Sequence, residues 1–329
     1  MVDERKTEME NSISELEVDP VKPIEVWKGM TVNELILQMR SSGSLSSGAL
    51  AKAVDIYEKM IRDKAYIFLT LSGALVPAGL KKVIITLIEK GWVNAIVSTG
   101  ANLVHDVLEA FGGKHLKGSP YMNDKNLYKM GIDRIYDVFV FENDFQKRFD
   151  EPILEIYKDI VKAKKGEILS ISEFLMEIAK RLPDSDSILR SAYLNNVKVF
   201  APAIQDSVYG LQAAIYNKGN KDALHVDAFM DLQEIWAIRK KHDNVGAVIL
   251  GGGVPKNYVF QSFYFEKKKL NYVIQITLDR PETGGLSGAT LDEAVSWGKI
   301  EADARKVVVV SEVTLAFPII VASLLERLS

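Results

Sequence analysis

The chain has 329 residues, 47% of them hydrophobic and 26% charged, with a net charge of −3. That balance excludes a mostly disordered polypeptide and disfavours a general nucleic-acid binder. With no cysteine, disulfides, thiolate nucleophiles, cysteine-ligated zinc and iron–sulfur clusters are excluded as well.

Residues 1–20 hold seven acidic and two basic residues, and the stretch 1–25 reads as an acidic mobile tail ahead of a single α/β domain over 26–329. The opening MVDERKTEMENSISELEVDP lacks a signal-peptide apolar core, and no apolar run approaches the roughly 18–20 residues of a membrane span. A cytoplasmic protein with no membrane partner is expected. Thr31 with Glu34 forms a capping box for a helix near 31–40. Ser47 and Gly48 precede a second helix near 48–63, where Leu50, Val54, Tyr57 and Ile61 recur at helical spacing. Tyr66–Leu71 then reads as a buried strand, 78–90 as a helix, Val93–Ser98 as a strand and 102–111 as a helix. Ile135–Phe141 is β-rich; 153–163 and 171–181 are helical. Val197–Phe200 is a short strand, followed by helices near 208–217 and 224–242. Strands at Val245–Leu250 and Tyr272–Leu278, a helix near 290–302, a strand at Val307–Val310 and a helix near 315–327 complete the chain. Continuously apolar strands alternating with helices predict a Rossmann-like, doubly wound, mostly parallel sheet with helices on both faces and an N-terminal helical extension.

In such a sheet ligands bind outside the carboxyl ends of the strands, and four segments follow strands there. Ser72-Gly73-Ala74-Leu75-Val76 is a small-residue loop leading into a helix, where free N–H groups suit an anion or simply make a turn. Thr99-Gly100-Ala101-Asn102 is similar, with Thr99 or Asn102 available as a cap. Gly251-Gly252-Gly253 matches neither GxGxxG nor a Walker loop, yet implies close backbone packing or phosphate approach. The last, Thr283-Gly284-Gly285-Leu286-Ser287-Gly288-Ala289, enters a helix carrying Glu293, Trp297 and Lys299. A lysine kept neutral is an amine nucleophile toward an imine or carbonyl carbon; on spacing alone, pairing with Glu301 or Asp303 is the competing reading. His105, His115, His225 and His242 show no metal-ligand spacing, so no metal site is expected.

Glu293-Ala294-Val295-Ser296-Trp297-Gly298-Lys299-Ile300, with Ser287-Gly288-Ala289 upstream, resembles the active-site segment of the deoxyhypusine synthase family. The resemblance spans roughly 45–325 and includes Leu250-Gly251-Gly252-Gly253-Val254, Ala201-Pro202-Ala203 with Asp206, and Phe317-Pro318. It implies a homotetrameric, NAD-dependent transferase. Such enzymes oxidise spermidine, release 1,3-diaminopropane, and pass an aminobutyl group through an enzyme-lysine imine to a lysine of translation initiation factor 5A. By the resemblance Lys299 is the nucleophile, and Trp297, Glu293, His105 and Asn257 contact substrate. Ser72, Gly73, Ala74, Leu75, Val76, Thr99, Gly100, Ala101, Asp206, Glu312 and Val313 match stretches that hold NAD. The chain departs from the family pattern in four places. Val104-His105-Asp106 replaces a Glu-Glu-Asp run, Asn257 replaces a histidine, and Leu211 and Leu286 fall where the family has substrate aspartates. Asp106, Asp279, Glu282 and Asp292 are candidates to restore lost charge. Two alternatives stay open: transfer to putrescine or another small amine, as in homospermidine synthesis, and a non-catalytic NAD- or nucleotide-binding protein.

Overall fold

The computed structural model describes residues 19–184 and 186–328. Residues 1–18 of the expected acidic tail therefore lie outside the described residues. Residues 19–25 are exposed and irregular, with the Glu25 amide donating to Gln38 Oε1 at 3.2 Å.

Six strands form one sheet, and only these are numbered: β1 Tyr66–Leu71, β2 Ala95–Ser98, β3 Lys198–Phe200, β4 Val245–Leu250, β5 Leu270–Thr277 and β6 Ile300–Val310. Every neighbouring pair is parallel and the spatial order is β3-β2-β1-β4-β5-β6, so the chain reverses its direction of travel across the sheet between β1 and β4. β1, β2, β4 and β5 are apolar almost throughout because both faces are covered, whereas the edge strand β6 is charged and part-exposed over Glu301–Lys306. Ile67, Leu69, Leu71, Leu250 and Ile276 join one core layer, whereas Phe68, Ala247, Ile249 and Val273 join the other. Register brings the carboxyl ends level: Leu71 opposes Ser98 on one side and Leu250 on the other, and Leu250 opposes Ile276.

The helices that bear on the site are α1 Val32–Ser42, α2 Leu45–Arg62, α3 Lys81–Glu89, α4 Gly100–Ala110, α5 Gly253–Ser262, α6 Leu291–Ser296 and α7 Val313–Leu328. The Thr31–Glu34 capping box forms at α1. Glu326 of α7 accepts from the Val32 and Asn33 amides, and Arg327 reaches Asn33 Oδ1, Asp55 and Glu58, so the N-terminal helices are pinned to the end of the chain. Among the described residues no helix is long and apolar enough to cross a membrane.

Four expected elements differ. Gly48 lies inside α2, which starts at Leu45, because only a glycine fits there: a Cβ would meet the Gly43 backbone at 2.5 Å. Ile135–Phe141 is not one strand but an antiparallel pair, Ile132–Ile135 and Val138–Phe141, turned at Tyr136 with φ +54° and set outside the main sheet. The helix expected near 224–242 runs only over Met230–Lys241, after a short bridge strand at Val226–Asp227. The helix expected near 290–302 stops at Ser296, and the residues from Ile300 join β6 instead.

Candidate active site at the carboxyl edge of the sheet

The crevice above β1 and β4 is built from two glycine loops held face to face. Ser72, just past β1, donates its hydroxyl to the Gly252 carbonyl, and its own amide donates to the Leu250 carbonyl at 3.1 Å. Asn102 braces the rest of that loop. Its Oδ1 accepts from the Leu75 and Val76 amides at 3.0 and 3.2 Å, and its Nδ2 donates to the Gly73 carbonyl at 2.7 Å. Asn102 thus fixes Ser72–Val76 rather than capping α4. Thr99 stands at the N-cap of α4 but makes no side-chain capping bond, which leaves first-turn N–H groups open to an anion. Gly100 must be glycine, since a Cβ would meet Ser207 Oγ at 2.5 Å. Reversed strand order, a braced small-residue loop and an uncapped helix N-terminus fit a dinucleotide. Among the described residues no group of three or more His, Asp or Glu is placed to hold a metal ion.

Beside this crevice α6 presents the lysine. The Thr290 hydroxyl accepts from the Glu293 amide at 3.0 Å and starts the helix. Gly298, at φ +63°, ends it in a left-handed turn: its amide donates to the Val295 carbonyl at 2.8 Å and the Lys299 amide to the Ala294 carbonyl at 3.0 Å. This is a Schellman motif, and it throws Lys299 out of the helix at the mouth of β6. Lys256, Asn257, Phe260, Leu286, Ala289, Thr290, Glu293, Trp297 and Lys299 share one cavity of about 60 Å³. The Lys299 ammonium lies 5.3 Å from the Trp297 ring centre and makes no hydrogen bond or ion pair among the described residues. Partial burial holds its pKa below the ordinary lysine range, with Glu293 pulling the other way. Pairing with Glu301 is not seen; that carboxylate accepts from the Lys269 amide at 2.6 Å.

Gly298→Ala tests the turn. A Cβ there meets nothing closer than Lys269 Cε at 3.9 Å, so the cost is the left-handed backbone, about 1–2 kcal/mol. The expected outcome is a small drop in thermal midpoint and a lysine displaced from its cavity, read as slower labelling by an imine-forming aldehyde; Gly298→Asn should be milder because Asn tolerates this conformation. Labelling at the parental rate in the alanine variant would show that the turn does not set the lysine.

Other predicted residues sit elsewhere. His105 lies within α4; its Nδ1 is 2.9 Å from Nε2 of His115, whose Nδ1 is 2.7 Å from Glu109, and Glu109 pairs with Lys81 at 2.5 Å. It is not among the residues lining the Lys299 cavity. Asp106 does not supply charge to a ligand. It is fully buried and accepts from the Ser187 hydroxyl and the Ile188 and Leu189 amides at 2.8, 2.8 and 3.0 Å, capping the helix Ile188–Leu194. Glu282 pairs with Arg280 and Asp292 with Lys306. Asp206 is exposed in the turn after β3, its amide donating to the Ala203 carbonyl. Glu312 caps α7, accepting from the Leu315 amide at 3.1 Å and from the Thr314 hydroxyl, while Val313 is buried at its first turn. Partial burial raises the Glu312 carboxyl, but these donors outweigh it and hold it below the ordinary range. Leu211 is 63% exposed on the helix Val208–Gly219, and Leu286 lines the cavity.

His105 carries a pH prediction. Burial, then the neighbouring His115, pushes its pKa down to about 4, against Glu109. The unfolded chain takes up this proton near pH 6.5, whereas the folded chain resists it until about pH 4. Stability from this group is therefore full above about 6.5 and is lost progressively down to about 4, on the order of 2–3 kcal/mol. Urea unfolding of the parent and of His105→Asn should diverge across that window; parallel pH curves would refute the assignment.

Two buried polar residues of the site carry no motif: Lys256 and Gln275, 2% and 1% exposed. The available signal was a lone glutamine in the otherwise apolar run Tyr272–Thr277, and a lysine one helical turn past the three glycines.

Fold and site together define a doubly wound α/β protein, with a fold consistent with dinucleotide binding and a part-buried lysine amine at its carboxyl edge. The family model described as "DS: Deoxyhypusine synthase" matches residues 34–324. A Methanosarcina acetivorans protein named "Probable deoxyhypusine synthase 1" is 46% identical over 311 residues, 94% of this chain and 96% of that one. A Methanothermobacter thermautotrophicus protein named "Probable deoxyhypusine synthase" is 40% identical over 309 residues, 94% of this chain and 98% of the other. A crystal structure from Entamoeba histolytica, described as "a putative deoxyhypusine synthase", superposes with a TM-score of 0.66 at 21% identity, covering 92% of this chain and 96% of that one, and supports the fold. The chain belongs to the deoxyhypusine synthase family and is a transferase of that type.

Proposed function

We propose that the chain catalyses NAD-dependent transfer of an aminobutyl group from spermidine, through an imine on Lys299, to a lysine of translation initiation factor 5A. The observation that carries the reading is the shared cavity. The helix that starts at the β4 glycine loop and the turn that carries Lys299 line the same small space beside the dinucleotide crevice. The residues fit NAD: Ser72–Val76 and Thr99–Ala101 would hold it, with Asp206 and the Glu312–Val313 pair as further contacts. When bound, NAD supplies a hydride acceptor that makes the C–N bond of an unactivated amine breakable, and a hydride donor for the final reduction.

The chain's own residues do the rest. Glu293 and the Trp297 face receive ammonium groups of the polyamine. A substrate cation seated against Glu293 neutralises the one nearby charge that favours protonated Lys299, which promotes the free amine. After hydride removal has left a C=N bond at the secondary amine, Lys299 Nζ adds to its carbon; the 1,3-diaminopropane nitrogen takes up a proton and leaves with the C–N electron pair. The carbon stays bound to Nζ as an imine until the acceptor amine displaces it. Trp297 is 57% exposed, Leu286 49% and Leu278, past the end of β5, 61%, an apolar rim suited to cover by a second subunit and consistent with a homotetramer.

Leu286 in the cavity, where the family pattern has an aspartate, favours a second reading in which a small amine such as putrescine is the acceptor. Incubation with spermidine and NAD, offering initiation factor 5A or putrescine, separates the two by mass spectrometry. A modified factor lysine is expected; abundant homospermidine with an unmodified factor would transfer the assignment to the small-amine reading.

A further inference from the structure

Lys256 and Gln275 take no part in the chemistry above, yet they join the two loops that frame it. Lys256 Nζ donates to Gln275 Oε1 at 3.0 Å and to the Ala289 carbonyl at 2.6 Å. Gln275 Nε2 donates to the carbonyls of Gly251 and Ser287 at 2.9 and 2.7 Å. The Gly253 amide donates to Ser287 Oγ at 2.9 Å. These contacts tie the β4 glycine loop, at the dinucleotide crevice, to the loop 287–289 from which α6 springs. A buried network of this kind holds only while every member is satisfied, because each broken bond strands a desolvated partner.

The charge matters as well as the strut. Lys256 lines the Lys299 cavity, its ammonium 5.8 Å from the Phe260 ring centre. Burial pushes its pKa down to about 8, against Glu293 and Asp279, so near neutral pH it keeps its proton, which its two carbonyl acceptors also favour. A second ammonium in so small a space is disfavoured. Lys299, whose amine has no such acceptor, is likewise held below the ordinary lysine range by partial burial.

We propose that Lys256 is a positioning residue for Lys299: through Gln275 and the Ala289 carbonyl it fixes α6 against the glycine loop, and it keeps a fixed cation beside the reacting amine. The proposal rests on the aminobutyl-transfer reading, and its test separates the two. The full chain and Lys256→Met are labelled with 2,4,6-trinitrobenzenesulfonate over a pH series, with Lys299 modification read by peptide mass spectrometry. Loss of the neighbouring cation raises the Lys299 midpoint, by about one pH unit. Borohydride trapping of the adduct from spermidine and NAD should slow by about 100-fold, since the lysine is misplaced. A purely structural role would lower the thermal midpoint and leave the labelling midpoint in place. An unchanged labelling midpoint in folded Lys256→Met overturns the proposal. Gln275→Leu keeps the cation and cuts the strut, so its trapping should also slow; trapping at the parental rate overturns the strut. If the parent traps no adduct, the aminobutyl reading fails, and the labelling midpoint still decides the role of Lys256.

Discussion

Lys299→Ala is expected to abolish the borohydride-trapped butylamine adduct and to lower aminobutyl transfer at least about 1,000-fold, because the group proposed to carry the four-carbon unit is gone. Stability should barely move, within about 2 °C in thermal midpoint. The Lys299 amine makes no hydrogen bond or ion pair among the described residues, and the backbone bonds of residue 299, to Ala294 and from Leu270, survive the substitution. Lys299→Arg keeps the cation and most of the stem but offers no attacking amine at any working pH. It should therefore be as inactive as alanine while still binding dinucleotide. An adduct that persists in either variant would move the nucleophile to another lysine, with Lys256 the one to examine because it lines the same cavity.

The sheet was the readable part of the sequence. β1 and β4 are each buried on both faces, and their apolar runs end where the strands end, at Leu71 and Leu250. What could not be read was set by contacts distant in the chain. Residues 290–302 carry an unbroken helical pattern in Leu291, Ala294 and Val295, and a single glycine is often tolerated inside a helix. Here Gly298 terminates it, and the chain enters β6, where Ile300 and Arg305–Val310 pair with β5 across an irregularity at 301–304. That change moves Lys299 from a helical face to a turn at the cavity mouth. From sequence Asp106 is a candidate to restore lost charge, but its partners lie 81 to 83 residues away, at Ser187, Ile188 and Leu189. Nothing local distinguishes a carboxylate that caps a distant helix from one that greets a ligand. The segment Glu293–Ile300 stands out in the sequence because a glycine turn and a lysine occupy adjacent positions; the network beneath it does not, because Lys256 and Gln275 meet through tertiary structure alone.

Gly252→Ala is expected to be a damaging single methyl addition at the site. A Cβ at 252 would lie 2.4 Å from Ser287 Cα and 2.7 Å from its Cβ, and a backbone atom cannot swing aside as a side-chain tip can. The two loops must separate, which weakens the Gly253–Ser287 bond and both Gln275 bonds that cross the gap. Overpacking of this kind costs about 1–3 kcal/mol, before the stranded donors are added. The larger effect is on chemistry: a shift of about 1 Å between the glycine-loop crevice and α6 is enough to lower the rate about 100-fold. Gly219→Ala is the control, since a Cβ there meets nothing within 4 Å and should leave stability and transfer unchanged. Gly253→Ala separates strain from collision. Its φ is +57° but its nearest neighbour is Ser72 Oγ at 3.9 Å, so it should lose stability through the backbone alone, about 1–2 kcal/mol, and keep more activity than Gly252→Ala. Calorimetric midpoints and trapping rates for the three variants check the order. Equal trapping in Gly252→Ala and the control would mean that the two loops are not required to stay in contact during turnover.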